Sequence, residues 1–190
     1  MSNLPVLETE RLLLAVPTAG DFSRVRDFFA RNAEHLSPWA AVMSDAALED
    51  VIRRRVNGAE QEYRGDRGLW MVLARRENPA GPMIGDVHLS NVVRGAFQAC
   101  YLGYQIDREA EGQGLMTEAV GAVIDYAFRS MNLHRVMANH QPGNERSARV
   151  LARLGFSVEG IARNYLHIGG AWRDHVLTSL TNDDWTPRPA

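Results

Sequence analysis

Hydrophobic and polar positions along the chain change period several times, and each change marks an element. Arg11 to Val16 is a short apolar run stopped by Pro17, which predicts a first strand. Thr18-Ala19-Gly20-Asp21 offers helix caps, and Phe22, Val25, Phe28 and Phe29 follow at helical spacing. Leu36-Ser37-Pro38-Trp39 breaks the pattern. A second helix is expected from about Ser44 to Tyr63, with Leu48, Val51, Ile52 and Val56 on one face. Leu69 to Arg75, Met83 to Val93 and Ala99 to Ile106 read as three strands of an antiparallel meander, parted by Asn78-Pro79-Ala80-Gly81-Pro82 and Arg94-Gly95-Ala96.

Past Ile106 the chain turns glycine-rich, and Thr117 to Met131 then predicts a helix through Val120, Val123, Ile124, Ala127 and Phe128. Arg135 to Asn139 reads as a strand. Asn144 is a good N-cap for a helix through Leu151 and Leu154, with Gly155 in the terminating position. Ser157 to Ile168 and Ala171 to Leu180 are two strands joined at Gly169-Gly170, a hairpin signal. The order β-α-α-β-β-β-α-β-α-β-β describes an α+β (mixed α/β) domain on a mostly antiparallel sheet. The 190 residues suit one domain spanning 1–190, and no internal repeat or linker divides them.

Composition narrows the function. Hydrophobic residues are 45% and charged residues 23%, ordinary for a soluble globular chain, and no apolar run is long enough to cross a bilayer. The N-terminus lacks the basic and apolar regions of a secretory signal. Cys100 is the single cysteine and cannot form an internal disulfide, which suits a reducing cytoplasm. A net charge of -2 with no basic block argues against DNA or RNA held by a broad positive field, so a polyanionic ligand must be gripped locally.

Glu111-Gly112-Gln113-Gly114-Leu115-Met116 offers such a grip. Between a strand and a helix, Gly112 and Gly114 let backbone N–H groups converge on phosphate oxygens, and the helix adds its positive end. An ordinary capping turn has the same residues. A Walker loop needs Gly-Lys-Ser/Thr, which is missing, and a dinucleotide fold needs Gly-x-Gly-x-x-Gly between parallel strands.

Glu111 to Met116 with Thr117-Glu118-Ala119 resembles the Arg/Gln-x-x-Gly-x-Gly/Ala segment of the GCN5-related N-acetyltransferase (GNAT) superfamily. Asn144-x-x-Ser147 followed by Leu154-Gly155-Phe156 resembles its second signature. The closer likeness is to RimJ-type ribosomal-protein alanine N-acetyltransferases. It is carried by Asn91-Val92-Val93-Arg94-Gly95, Ala99-Cys100-Tyr101-Leu102-Gly103-Tyr104, Gly112 to Met116 and Trp172-Arg173-Asp174-His175, and extends from Thr9 to Pro187. The resemblance implies acetyl-CoA as donor and direct transfer to an amine in a ternary complex. It also implies a V-shaped opening where the fourth and fifth strands, Ala99–Ile106 and Arg135–Asn139, splay apart. The six histidines show no metal-ligand spacing, so no metal is expected, and the chain is expected as a monomer or homodimer.

Carried onto this chain, Leu102, Gly103, Tyr104, Gln105 and Ile106 would pair with pantetheine. The backbone amides of Gly112, Gln113, Gly114, Leu115, Met116 and Thr117 would hold the pyrophosphate, and Asn144 and Ser147 would sit near the pantetheine arm or the thioester. Glu111 stands where Arg or Gln is usual, and its side chain is expected to point away. The tyrosine that protonates the thiolate in many members is replaced by Leu151. In the RimL type the counterpart of Ser147 is the proposed acid, and the base is a glutamate whose place is taken by Leu166.

Ser147 is the candidate acid, with local capping as the alternative, and His140 a candidate base through water. Tyr104 and Tyr165 could line an acceptor channel, or anchor the core. Trp39 lies in the region that shapes the acceptor site in relatives. Asp174 and His175 read as a hydrogen-bonded structural pair, Cys100 as a buried apolar residue, and Arg53-Arg54-Arg55 as a solvated face or a docking face for an acidic or RNA-rich particle. An α-amine of pKa ~8 is roughly one-tenth neutral at pH 7, so it demands less of a base than lysine. The leading expectation, which the resemblance implies, is Nα-acetylation of an alanine-initiated ribosomal protein, the fifth of the small subunit. A small-molecule amine acetyltransferase and a non-catalytic acyl-CoA-binding ribosome-assembly factor stand as alternatives.

Overall fold

The computed structural model describes residues 3–39 and 45–187. Its elements in chain order are β1 (Val6–Glu8), β2 (Leu12–Ala15), α1 (Phe22–Arg31), α2 (Ala33–Leu36), α3 (Asp45–Arg64), β3 (Leu69–Arg75), β4 (Gly85–Val93) and β5 (Ala99–Ile106). Then come α4 (Leu115–Arg129), β6 (Arg135–His140), α5 (Glu145–Arg153), β7 (Ser157–Ile168) and β8 (Ala171–Thr181). The expected start of the second helix at Ser44 lies outside the described residues.

Among the described residues the strands form one sheet in the order β1-β2-β3-β4-β5-β6-β8-β7. Every neighbouring pair is antiparallel except β5 with β6. That pair needs a crossover, and α4 supplies it. Leu115, Met116, Ala119, Val120, Val123, Ile124 and Ala127 of α4 are buried. They meet Leu12, Leu14, Val87, Leu89, Leu102 and Val136 in the core. Each Leu, Val, Ile or Met among them contributes about 1.5–3 kcal/mol when fully removed from water. The helix begins at Leu115 rather than at the expected Thr117, because Gly114 in the left-handed conformation is its cap and Leu115 is already fully buried.

The ladder between β5 and β6 runs from Ala99 opposite Arg135 to Leu102 opposite Ala138 and goes no further. Gly103 to Ile106 continue only against β4, and Asn139 and His140 only against β8. The two strands therefore diverge after Leu102 and Ala138, which is the expected splay between the fourth and fifth predicted strands. A bulge between Ser90 and Val93 of β4, with Asn91 at φ 52°, adds twist beside β5 just before that point.

Strand β1 escaped the sequence reading; it has three residues, and only its pairing with β2 defines it. The hairpin at Gly169-Gly170 has both residues at positive φ (59° and 76°) between Ile168 and Ala171, as a two-residue mirror-image turn requires. No helix among the described residues is long and apolar enough to cross a membrane.

Candidate active site

The splay opens a cleft of about 720 Å³ between β5, β6, the glycine turn and α5. That volume is in the range of small-molecule and cofactor sites. Leu102, Gly103, Tyr104, Gln105 and Ile106 line it from β5. Gly112, Gly114, Leu115, Met116 and Thr117 line it from the turn and the start of α4, and Asn144 and Ser147 from α5. His140 at the end of β6 and Trp39 beyond α2 complete the expected set.

The turn is held from behind. Asp107 caps the short 3-10 turn Arg108–Ala110 by accepting from Glu109 N, and also accepts from Arg31 of α1 and from Asn32, which caps that helix. Burial alone pushes the Asp107 carboxyl up, but these donors and the Arg31 charge outweigh it and hold the group below the usual range. Gly112 and Gly114 follow with φ 72° and 76°, where a side chain would be strained. Arg11 fixes the peptide between them: its guanidinium donates to the Gln113 carbonyl at 2.9 Å and to Glu118 at 2.7 Å. In a trans peptide the Gly114 N–H must then point opposite to that carbonyl. Glu118, on the first turn of α4, also accepts from Thr9 Oγ1 and Arg11 N. Its carboxyl, raised by burial, is brought below its ordinary value by those bonds.

Two buried polar atoms on the cleft wall, Gln105 Oε1 and Thr117 Oγ1, have no hydrogen-bond partner within the described chain. Across from them, Tyr104 and Ser147 place their hydroxyl oxygens 2.8 Å apart. Burial pushes the Tyr104 phenol up to about 12, against the smaller opposite effect of the Ser147 bond. Asn144 caps α5 by accepting from Ser147 N at 3.1 Å, which fixes where Ser147 stands. His140 is nearly buried, and its Nδ1 donates to the Gln141 carbonyl at 3.0 Å. The neutral ring therefore carries its lone pair on Nε2.

Some expected residues are elsewhere. Gln113, expected to act through its backbone amide, turns its side chain away from the cleft, donating to the Glu109 carbonyl and accepting from Arg75. Tyr165 is also off the wall, accepting from Asn139 Nδ2 at 3.2 Å and standing 5.6 Å from the His175 ring. Glu111 does not leave the cleft as expected, since Arg146 at 2.6 Å and His35 at 3.4 Å hold its carboxylate at the wall. Asp174 and His175 do not pair: Asp174 accepts from Asn164 N, while His175 Nδ1 donates to the Arg173 carbonyl. Successive strand residues point to opposite faces, which explains the separation.

Nor is Arg53-Arg54-Arg55 one face. Arg53 pairs with Glu49 and covers the Phe22 ring, whereas Arg55 lies 4.0 Å over the Trp70 ring and 3.6 Å from buried Asp86. Cys100 is fully buried and its thiol is pushed up to about 12 by that burial, so it is no nucleophile. Sequence reasoning missed Arg146, Arg149 and Arg153, which line the cleft from α5. Their spacing of three and four residues was the available signal.

A second cavity, of about 630 Å³, shares Trp39, Gln141 and Gly143 with the cleft and extends to Arg173 and Asp174 beside the β7–β8 hairpin. Gln141 Nε2 donates to the Pro38 carbonyl and ties the two sides of this passage together.

Comparison with known proteins gives this geometry a family. The profile of the acetyltransferase (GNAT) domain matches residues 11–157. The chain is 43% identical over 188 residues to the [Ribosomal protein uS5]-alanine N-acetyltransferase of Escherichia coli (strain K12), covering 98% of this chain and 96% of that protein. The crystal structure of a ribosomal-protein-S5-alanine acetyltransferase from Vibrio fischeri superposes with a TM-score of 0.89 at 38% identity, over 96% of this chain and 100% of that one. RimJ of Mycobacterium smegmatis, solved with CoA-disulfide, gives 0.80 at 28% identity, over 91% and 83%. The chain belongs to the GNAT acetyltransferase family and is an acetyl-CoA-dependent N-acetyltransferase.

Proposed function

We propose that the acceptor is the α-amine of an N-terminal alanine on a ribosomal protein of the uS5 type, acetylated in the cleft between β5 and β6. The observation that carries this reading is the 43% identity, over nearly the whole of both chains, to the Escherichia coli enzyme named for that reaction.

The residues suit the donor. The diverging backbone of Gly103 to Ile106 has no ladder partner on the β6 side, and the amides of pantetheine can hydrogen-bond there as a strand would. The turn from Gly112 to Thr117 supplies backbone N–H groups and a helix N-terminus for the diphosphate. Thr117 Oγ1, buried without a partner, offers a further donor on that wall.

Attack by the amine needs a neutral nucleophile, stabilisation of the carbonyl oxygen and a proton for the departing thiolate. A backbone N–H of Leu102 to Tyr104 serves the oxygen. Ser147 delivers the proton, and Tyr104, whose phenol stays protonated far above neutral pH, restores it. His140 Nε2 takes the amine's proton through water. An α-amine of pKa ~8 asks little of that base. The acceptor chain enters along the second cavity, past Trp39 and the β7–β8 hairpin. Tyr165 acts from behind by holding Asn139.

The test compares kcat/KM for an alanine-initiated uS5 peptide with that for a panel of polyamines and antibiotic amines. Preference for the peptide supports the assignment. Turnover confined to small amines overturns it.

A further inference from the structure

The splay opens on both faces of the sheet, and the two faces differ chemically. Tyr104 meets Ser147 of α5, so Gly103 and Gln105 beside it face the other way. Leu102 is opposite Ala138, and Asn139 is opposite Leu177 of β8, which places Asn139 and His175 on that other face as well. All four line the cleft. A Cβ at Gly103 would meet nothing within 4 Å, so there is room beside them. Tyr165 ties two of them together: its hydroxyl accepts from Asn139 Nδ2 at 3.2 Å, and its ring is 5.6 Å from that of buried His175. His175 spends its Nδ1–H on the Arg173 carbonyl, so the neutral ring keeps its lone pair on Nε2. Asn139 spends Nδ2 on Tyr165 and keeps Oδ1. Neither acceptor atom has a partner among the described residues, and the buried Gln105 Oε1 on the same face has none either. The acidic residues lining the cleft, Glu111 and Glu145, belong instead to the glycine turn and α5.

We propose that His175 Nε2 and Asn139 Oδ1 receive the acceptor's α-amino group and orient it for attack. The proposal rests on the reading of the acceptor as a protein α-amine. Two acceptor atoms match the two N–H groups of a neutral amine and leave the nitrogen lone pair unclaimed. Their neutrality matters. A carboxylate in their place would favour the ammonium form and oppose the deprotonation that attack requires. The pair is on the face opposite Tyr104 and Ser147, so the amine is held on one side of the sheet and the thiolate's proton donor on the other. The second cavity reaches Arg173 and Asp174, immediately before His175, which brings a chain entering there to the pair at its first residue.

Titration calorimetry of the whole chain, saturated with coenzyme A, compares two peptides: an alanine-initiated uS5-type peptide and its desamino counterpart, which begins with a propionyl group. The wild type should bind the free amine at least about tenfold more tightly, as expected of two hydrogen bonds to one charged or polar group. In His175→Phe the preference should fall to about threefold or less, and Asn139→Ala should act alike, so either variant carries the test if the other fails to fold. Affinity for the desamino peptide and for coenzyme A should stay unchanged, which a merely structural role of the two residues would not predict. His175→Gln, whose amide oxygen can stand in for Nε2, should keep most of the preference. Variants that keep the full preference, or lose affinity for both peptides equally, overturn the proposal, as does a wild type that binds the two peptides alike. A wild type that binds neither peptide yet acetylates a polyamine would instead remove the protein-acceptor reading beneath it.

Discussion

The hydroxyl oxygens of Tyr104 and Ser147 lie 2.8 Å apart, joining the diverging end of β5 to the first turn of α5. Each residue owes its place to local sequence logic. Tyr104 is opposite Val87 in the β4 ladder, and Ser147 is fixed by the Asn144 cap. If the pair moves a proton to the leaving thiolate, Ser147→Ala should lower kcat by about 100-fold, with little change in the Kd for acetyl-CoA. Tyr104→Phe should act alike, and the double variant should cost far less than the product of the two, because they work as a unit. Steady-state kinetics with calorimetric Kd values measures this. Unchanged turnover in Ser147→Ala removes the acid role.

The pH profile of kcat/KM follows from the same pair. Burial holds the Tyr104 phenol near 12, so its proton is present throughout the working range. The rate should rise as the substrate α-amine loses its proton, around pH ~8, and show no descending limb from Tyr104 below pH ~10. A limb that disappears in Tyr104→Phe would contradict this assignment.

Arg11 is outside the cleft lining yet sets the peptide between Gln113 and Gly114. Arg11→Ala should raise the KM for acetyl-CoA about fivefold, since its side chain is 43% exposed and solvent screens its contacts. It should leave the KM for S-acetylpantetheine, which lacks the diphosphate, unchanged. Gly114→Ala should show the same selectivity and also lose about 1–2 kcal/mol of stability, from a Cβ at φ 76°. Kinetics with the two donors and urea unfolding check both variants.

Acid stability offers a separate check. Asp107 and Glu118 have folded-state pKa values below their unfolded ones, so their stabilisation is full above the unfolded carboxyl range of about 4 and is lost as pH falls through the folded values. Asp107→Asn should lower stability at pH 7 and flatten the loss below pH ~4. Urea unfolding at a series of pH values reads the slope. An unaltered acid slope would show that Asp107 is not held in its charged form by Arg31 and Asn32.

Features encoded by neighbours in sequence were legible before the fold was known. The Gly169-Gly170 hairpin, the Asn144 cap and the stripe from Val120 to Ala127 each depend on residues a few positions apart. The splay is different. It is the end of a ladder between non-consecutive strands at Leu102 and Ala138, and no periodicity in either strand announces it; the family resemblance supplied that expectation. The same holds for Arg11 reaching Glu118 and Gln113 across more than one hundred residues. Tyr165 was weighed as a channel residue or a core anchor from its residue type, and packing turned its side chain to Asn139; the glycine motif fixed the Gln113 backbone but said nothing of its side chain, which turns to Arg75 and Glu109. Glu111 was judged by its charge toward phosphate alone, without the Arg146 that pairs with it and the His35 ring 3.4 Å away.

The central claim is transfer of acetyl from acetyl-CoA to a protein α-amine, and the position of the acetyl group on one peptide tests it most directly. A uS5-type peptide with a free N-terminal alanine and an internal lysine, incubated with the enzyme and acetyl-CoA, would be sequenced by tandem mass spectrometry. The account predicts one acetyl group, on the alanine nitrogen, and none when that nitrogen is blocked in advance. Acetylation of the lysine instead, or an unmodified peptide under conditions where a small amine is acetylated, would contradict it.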